Sequence, residues 1–227
     1  LRIIRIIAQW LFILCLPVLL LTASVSLAVN CPWLYQYGFD KYNVSQTTGL
    51  EEAELDKIPG ALIGYFNSGE ESIDLSVQKD SEPFELFNER EVGHLRDVKG
   101  LFRLVYALLL GTGIYACVYA GLNLFWWRNR RFYWGLVGGG GLTLVLMLAI
   151  GLAAAIDFDW LFLKFHLISF ANDLWMLNPA TDYLIMLFPQ GFWFDAAIYC
   201  AAATAFLALV LGGLGWWRLR KERNQAV

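Results

Sequence analysis

Two histidines stand among 227 residues, and the side chains around them are of the kinds that move protons. His94 lies in Asn88-Glu89-Arg90-Glu91-Val92-Gly93-His94-Leu95-Arg96-Asp97-Val98-Lys99, the densest run of ionisable residues in the chain. Read as a helix, this run sets Glu91, His94 and Asp97 on one face at i, i+3 and i+6, with Arg90 one turn from the histidine. Such carboxylates would hold the imidazole in one tautomer and raise its basicity. His166 comes 72 positions later in Phe162-Leu163-Lys164-Phe165-His166, inside an aromatic and aliphatic stretch. Two imidazoles offer proton transfer near neutral pH. Either ring alone reads equally well as an interfacial residue bonded to backbone. Together, on the same side of a membrane and each near carboxylates, they point to a site.

Several chemistries are excluded by pattern. The chain has no Gly-x-Ser-x-Gly nucleophile elbow, no His-Glu-x-x-His zinc helix and no phosphate-binding glycine loop. His94 and Asp97 are separated by two residues, so they do not form the His-x4-Asp signature of glycerolipid acyltransferases. Glu91, His94, Asp97, His166 and Asp173 make only a weak metal signal, and no metal or cofactor is assigned. No apolar span carries an ionisable residue near its middle, which argues against a transporter.

The elements that position these residues are set by composition. Hydrophobic residues make up 58% and charged residues 16%, far from an average soluble domain. Residues 3–29 hold only Arg5, and residues 104–127, 132–156 and 196–217 hold no charge. Each stretch reaches the roughly 20 residues that a helix needs to cross hydrocarbon. The expected fold is an all-α membrane protein of four transmembrane helices, with a small mixed α/β extracytoplasmic cap and an interfacial helix. The expected bounds are 1–29, 100–127, 134–156 and 194–217 for the spans, and 30–99 for the cap. Residues 128–133 form a cytoplasmic loop, 157–193 an extracytoplasmic interfacial segment and 218–227 a cytoplasmic tail. Arg2, Arg5, Arg128, Arg130, Arg131 and the Arg218–Arg223 cluster fall on one side; the other side is rich in acids. The positive-inside rule then puts both termini in the cytoplasm of a plasma-membrane protein and both histidines outside. Leu27-Ala28-Val29-Asn30-Cys31 resembles a lipoprotein processing site faintly, but Asn30 is not small, and the first span is read as retained. Cys15, Cys117 and Cys200 fall within spans and Cys31 stands alone, so no disulfide set is expected.

Within the cap, Trp33, Tyr35 and Tyr37 read as rings at headgroup level, and about 70 residues are few for an independent core. Thr48-Gly49-Leu50-Glu51 fits a capping box. Leu50, Leu55, Ile58, Leu62 and Phe66 recur at helical spacing, broken or bent at Pro59-Gly60 and stopped at Asn67-Ser68-Gly69. Ile73, Leu75 and Val77 alternate like a half-buried strand, and Ser81-Glu82-Pro83 reads as a turn. A helix is expected from Glu89 into the second span. Gly135, Gly138 to Gly141 and Gly151 give the third span a small-residue packing face. Residues 157–170 suit a helix in the interface plane. Asn178 to Asp182 form a turn, and Leu184–Phe188 dip back before Pro189.

The run Glu-Arg-Glu-Val-x-His-x-x-Asp-Val-Lys at 89–99 resembles the signature of the lipoprotein intramolecular transacylase (Lit) family. A second block is similar too: Phe165-His166 with Phe170, Trp175, Asn178-Pro179, Asp182, Leu184-Ile185 and Phe188-Pro189. Leu95 departs from the methionine expected there, a volume-conserving change. The resemblance implies an acyltransferase acting on diacylglyceryl-modified lipoproteins in membrane lipid, with no nucleic acid involved. One acyl chain would move from a glycerol oxygen to the α-amino group of the same N-terminal cysteine, giving the lyso form. Donor and acceptor share one molecule, so holding the lipid folded would supply much of the rate. An imidazole near 6.5 would take a proton from an ammonium near 8 at a cost of roughly 2 kcal/mol. By that analogy His94 is the general base, oriented by Asp97 or Glu91, and His166 is the second acid/base group or oxyanion donor. Arg90 and Arg96 are candidates for charge stabilisation, and Trp160, Phe162, Phe165 and Trp175 for the acyl groove. The rival reading is a non-catalytic scaffold or accessory subunit of a larger membrane complex, packed through its glycine-rich third span.

Overall fold

The computed structural model describes residues 2–80, 82–127 and 130–224. In chain order, α1 (Arg2–Val29) is followed by four short helices, α2 (Pro32–Lys41), α3 (Val44–Thr48), α4 (Glu52–Leu55) and α5 (Lys57–Asn67). A hairpin of β1 (Ser76–Lys79) and β2 (Glu82–Glu85) precedes α6 (Glu89–Gly121), which ends in a π-helical turn at Leu122–Trp126. Then come α7 (Arg131–Ile156), α8 (Phe158–Ser169), α9 (Tyr183–Leu187) and α10 (Gln190–Asn224). Helices α1, α6, α7 and α10 are long and apolar enough to cross a membrane. The uninterrupted helix expected from Glu89 is α6.

Two compact units divide the chain. One comprises Leu1–Ser26, Val105–Ile156 and Ile198–Val227. Its core is Phe12, Leu16, Leu20, Tyr119, Leu136 and Ala208. Small residues let backbones meet there: a Cβ on Gly140 would lie 2.9 Å from the Ala208 carbonyl oxygen and 3.2 Å from Gly212 Cα. A Cβ on Gly139 would meet Leu16 at 2.8 Å, and one on Gly135 would meet Phe12 at the same distance. Gly141 and Gly151 face open space, so only part of the glycine-rich stretch packs. Thr204 Oγ1 donates to Ser24 Oγ at 3.0 Å, a polar link of the kind that joins helices in hydrocarbon. Leu108, Leu110, Ile114 and Val118 of α6 are exposed, an apolar surface suited to lipid rather than water.

The other unit comprises Leu27–Leu104 and Asp157–Ala197. It has a core of its own, which residues 30–99 alone were expected to lack. The gain comes from the second segment: Leu184, Leu187, Phe188 and Phe192 join Phe39, Val44, Leu50, Ile58, Leu62 and Leu86. Leu184–Phe188 therefore pack into this core. Tyr35 also belongs to it and donates to the Val29 carbonyl at 2.8 Å, whereas Trp33 and Tyr37 are exposed.

Local chemistry corrects several sequence readings. Thr48 does not cap a following helix; it ends α3, and its Oγ1 donates to the Val44 carbonyl at 2.7 Å. Gly49 follows with φ 70°, a left-handed turn that glycine adopts without cost. The helical break falls at Asp56, and Pro59 sits in the first turn of α5, where its missing N–H leaves no bond unmade. The strand is shorter and later than the alternation suggested, with Val77 opposite Phe84 and Gln78 opposite Pro83. Glu82 and Pro83 are thus in β2 and the reversal lies earlier, with Asp80 at φ 53°. Pro83 is tolerated because the sheet has only two strands. Ser81, Arg128 and residues 225–227, which figured in the expected turn, basic loop and tail, lie outside the described residues.

Replacing Gly140 by valine would drive a side chain into backbone atoms that cannot rotate away. A loss of about 1–3 kcal/mol is expected, read as a lower unfolding temperature of the detergent-solubilised protein. Gly141→Ala, into open space, should leave that temperature unchanged or raise it slightly.

Candidate active site

The N-terminus of α6 carries the first half of the site. Asn88 caps it: Oδ1 accepts from the backbone N–H of Arg90 at 3.0 Å and of Glu91 at 3.1 Å. Glu91 Oε2 accepts in return from the Asn88 N–H at 2.8 Å. This reciprocal pair is a capping box, 40 residues beyond the one expected at Thr48. Glu91 Oε1 is used as well, accepting from the Leu184 N–H at 2.6 Å, and the residue is 1% exposed. Burial pushes this carboxyl above its ordinary range, while the two backbone donors pull it back. Glu91 is therefore not the orienter of His94. It ties the start of α6 to α9.

A second set of bonds holds residues 172–174 against the same helix. Arg90 Nη2 donates to the Asp173 carbonyl at 2.6 Å, and its Nε reaches that of Leu174 at 3.4 Å. Asn172 Nδ2 donates to Asp97 Oδ2 at 2.8 Å. The two ties flank His94 by four residues before and three after. Between them lies Gly93, where a Cβ would come 2.9 Å from Leu174 Cδ1. The absence of a side chain lets the segment lie close to the helix. Asp182, buried beneath it, accepts from Asn88 Nδ2 at 3.2 Å and from the Asn178 N–H at 2.7 Å.

These ties bring together the two rings that the sequence left 72 residues apart. The centroids of His94 and His166 are 6.1 Å apart, their planes inclined by 31°, and no hydrogen bond joins them. Phe170 stands edge-on to His94 at 5.0 Å and lies 5.6 Å from His166. Phe162, Trp175 and Phe165 surround His166 at 4.4, 5.0 and 5.4 Å. Both imidazoles are 7% exposed. His166 Nδ1 lies 2.8 Å from the Phe162 carbonyl, which can only accept, so the proton sits on Nδ1 and the lone pair on Nε2. His94 Nδ1 is buried and has no hydrogen-bond partner among the described residues.

The electrostatics run opposite to the sequence expectation. His94 precedes Arg96, Asp97, Lys99 and Arg103, outside the charge-free stretch that begins at residue 104. Burial, reinforced by His166, holds its conjugate acid down to about 4, and the nearby Asp97 only partly opposes this. His166 is also lowered by burial, against the Phe162 carbonyl. Both rings rest neutral at physiological pH. Neither carboxylate forms a hydrogen bond to His94, because Glu91 is spent on backbone and Asp97 on Asn172.

The remaining candidates divide. Phe162, Phe165 and Trp175 line the pair. Trp160 is 54% exposed, with Lys164 Nζ lying 5.9 Å over its ring instead. Arg96 lines a different recess, beside Lys99 and Arg103. Phe170 and Asp182 belong to the second block of the resemblance but were given no role from sequence, and Asn172 and Leu174 were not assigned at all. Asn88-x-x-Glu91 has capping-box spacing and could have been read, but nothing local marks Asn172 as the partner of Asp97.

The chain thus combines four membrane-length helices with two neutral imidazoles walled by aromatic rings. The family described as "Lipoprotein intramolecular transacylase Lit" matches residues 10–193, and the chain belongs to that family. The fold is shared with the membrane integral lipoprotein intramolecular transacylase Lit from Bacillus cereus. That structure superposes with a TM-score of 0.84 at 21% identity, over 98% of this chain and 99% of the other. Another structure of that protein, with one histidine replaced by arginine, gives a TM-score of 0.77 at 21% identity, covering 98% of this chain and 95% of the other. A protein of Aquifex aeolicus (strain VF5), described only as uncharacterized, is 26% identical over 135 residues. The match spans 57% of each chain, little more than half the length of that relative.

Folding stability should register the neutral rings. In the unfolded chain histidine protonates near 6.5, but His94 resists until about 4. Between these values the unfolded state binds more protons, so stability is complete above about pH 6.5 and falls as pH drops towards 4. Unfolding free energies at pH 7.5 and 4.5 should differ less in His94→Phe than in the wild type, by on the order of 2 kcal/mol. Equal pH dependences would show that the ring is not held neutral.

Proposed function

We propose that this chain transfers an acyl chain within a diacylglyceryl-modified lipoprotein, from a glycerol oxygen to the α-amino group of the N-terminal cysteine. The observation that carries this reading is the pair of buried imidazoles, 6.1 Å between centroids, both packed against the Phe170 ring. The amine lone pair attacks the ester carbonyl carbon, forming C–N and placing the π electrons on oxygen. The ammonium proton passes to an imidazole; the oxyanion collapses, C–O breaks, and the glycerol alkoxide takes a proton. The sum needs no co-reactant.

His94 is assigned as general base and His166 as the second acid/base group. Because Phe162 holds the His166 Nδ1 proton, this ring exchanges protons at Nε2, and it donates to an oxyanion only once Nε2 is protonated. A conjugate acid near 4 makes His94 a weak base towards a solvated ammonium. The same dry surroundings disfavour the ammonium too, which narrows the gap. A protonated His94 is in turn a strong acid for the departing alkoxide. Arg90, Asp97 and Glu91 act as positioning residues through the segment they hold. Phe162, Phe165 and Trp175 border the acyl chain. Both rings are closed in, so substrate admission requires the Phe170–Trp175 segment to give way. The orientation stays as the basic flanks set it: termini cytoplasmic, cap and α8 on the outer face, with α8 in the interface plane.

His94→Ala and His166→Ala should each reduce lyso-form product by roughly 10²-fold or more while the protein stays inserted. Mass spectra of a co-expressed lipoprotein's N-terminal peptide measure this. Undiminished product in both variants defeats the catalytic reading, and stoichiometric co-purification with other subunits would then favour a scaffold. Arg90→Gln, acting only through position, should give a smaller decline, about tenfold.

A further inference from the structure

Away from the imidazoles, α6 presents a second concentration of charge. Arg96, Lys99 and Arg103 recur at i, i+3 and i+7, one stripe of the helix, where like charges repel. With Gly100 between them they form one wall of a recess of about 380 Å³, and Gly69–Glu71 form the other. Lys99 is 2% exposed and fixed: Nζ donates to Ser68 Oγ at 3.0 Å and to the Glu70 carbonyl at 2.7 Å, and it lies 4.0 Å from the centre of the Tyr65 ring. The two arginines are not so satisfied. Arg103 has one long contact, Nη2 to the Ser68 carbonyl at 3.5 Å. Arg96 has no hydrogen bond or ion pair among the described residues, and neither Glu70 nor Glu71 pairs with any of the three cations. A Cβ at Gly100 would meet nothing within 4 Å, so the recess is open at that point of the helix.

Three cations around an open space, one with a free planar donor fork and one whose fork holds a single long contact, match the geometry of a phosphate group. Their place on the helix identifies the source. Arg103 is the last charged residue before the membrane-length apolar stretch begins at residue 104, which puts the recess at headgroup depth. We infer that this recess binds the phosphate of an anionic phospholipid headgroup, with Arg96 and Arg103 as its hydrogen-bond donors and Lys99 as a fixed neighbouring charge. The inference is independent of the acyl transfer proposed above.

The test uses the full chain in uncharged detergent, titrated with dioleoylphosphatidylglycerol, dioleoylphosphatidylcholine or inorganic phosphate. Retained lipid is counted by native mass spectrometry, and the unfolding temperature is followed by tryptophan fluorescence. Phosphatidylglycerol should be retained and should raise the unfolding temperature more than phosphatidylcholine, whose choline would meet the cations. R96Q/R103Q should weaken phosphatidylglycerol binding by about tenfold or more. Gly100→Leu, which fills the opening and keeps every charge, should do the same and guards against a misfolded double variant. Equal binding of the two lipids, or unaltered phosphatidylglycerol binding in both variants, overturns the inference. Stabilisation by inorganic phosphate equal to that by the lipid overturns the headgroup assignment.

Discussion

A carboxylate sealed from water must be given donors or it unfolds its surroundings, and the Glu91 carboxylate is given two backbone N–H groups from places 96 residues apart. One belongs to Asn88, which starts the helix that carries His94; the other belongs to Leu184, in the helix that closes the second segment. Because each oxygen is committed, this arrangement of α6 and α9 is the one in which the Glu91 carboxylate is fully paired. Asp182 repeats the device with Asn88 and Asn178, and Arg90 and Asp97 extend it along the helix. His94 makes none of these bonds, but its position follows from all of them.

The histidines are placed differently from the carboxylates around them. His166 is anchored through the carbonyl one helical turn earlier, His94 only through packing against rings. Burial costs a charged imidazole more than a neutral one, so the aromatic wall that brings the pair together also keeps both uncharged. For the proposed transfer that is an advantage: neutral rings can accept a proton, and a protonated one gives it up readily. The cost is carried by the fold, whose acid stability is lowered by the same shift.

The two units form their cores in different ways. In the unit of long helices, glycine and alanine bring backbones within contact and apolar side chains remain outward, since hydrocarbon gives no reason to hide them. In the other unit Leu50, Ile58, Leu62, Leu86 and Leu187 are almost wholly buried. Its chain segments are separated by a stretch of membrane-length helices, yet each supplies part of one interior. A segment of 70 residues judged too small to fold around itself becomes sufficient when residues 157–197 are added to it.

From the order of residues alone came the four long helices, the continuous α6, the end of α5 at Asn67, and α8 with its histidine. All of these rest on periodicity, length and charge, which are properties of neighbours in sequence. What failed were readings in which a polar group had to choose among partners. Thr48 and Glu51 had the spacing of a capping box, but Asn88 and Glu91 formed one; Glu91 and Asp97 were in reach of His94, but distant backbone and Asn172 took them. Spacing says which groups a side chain could meet along one helix, whereas burial and hydrogen-bond satisfaction are settled by whatever the remote segment brings. The basicity of His94 was misjudged for that reason: its sign depends on how completely Phe170 and the 172–175 segment exclude water, and only the tertiary structure decides that.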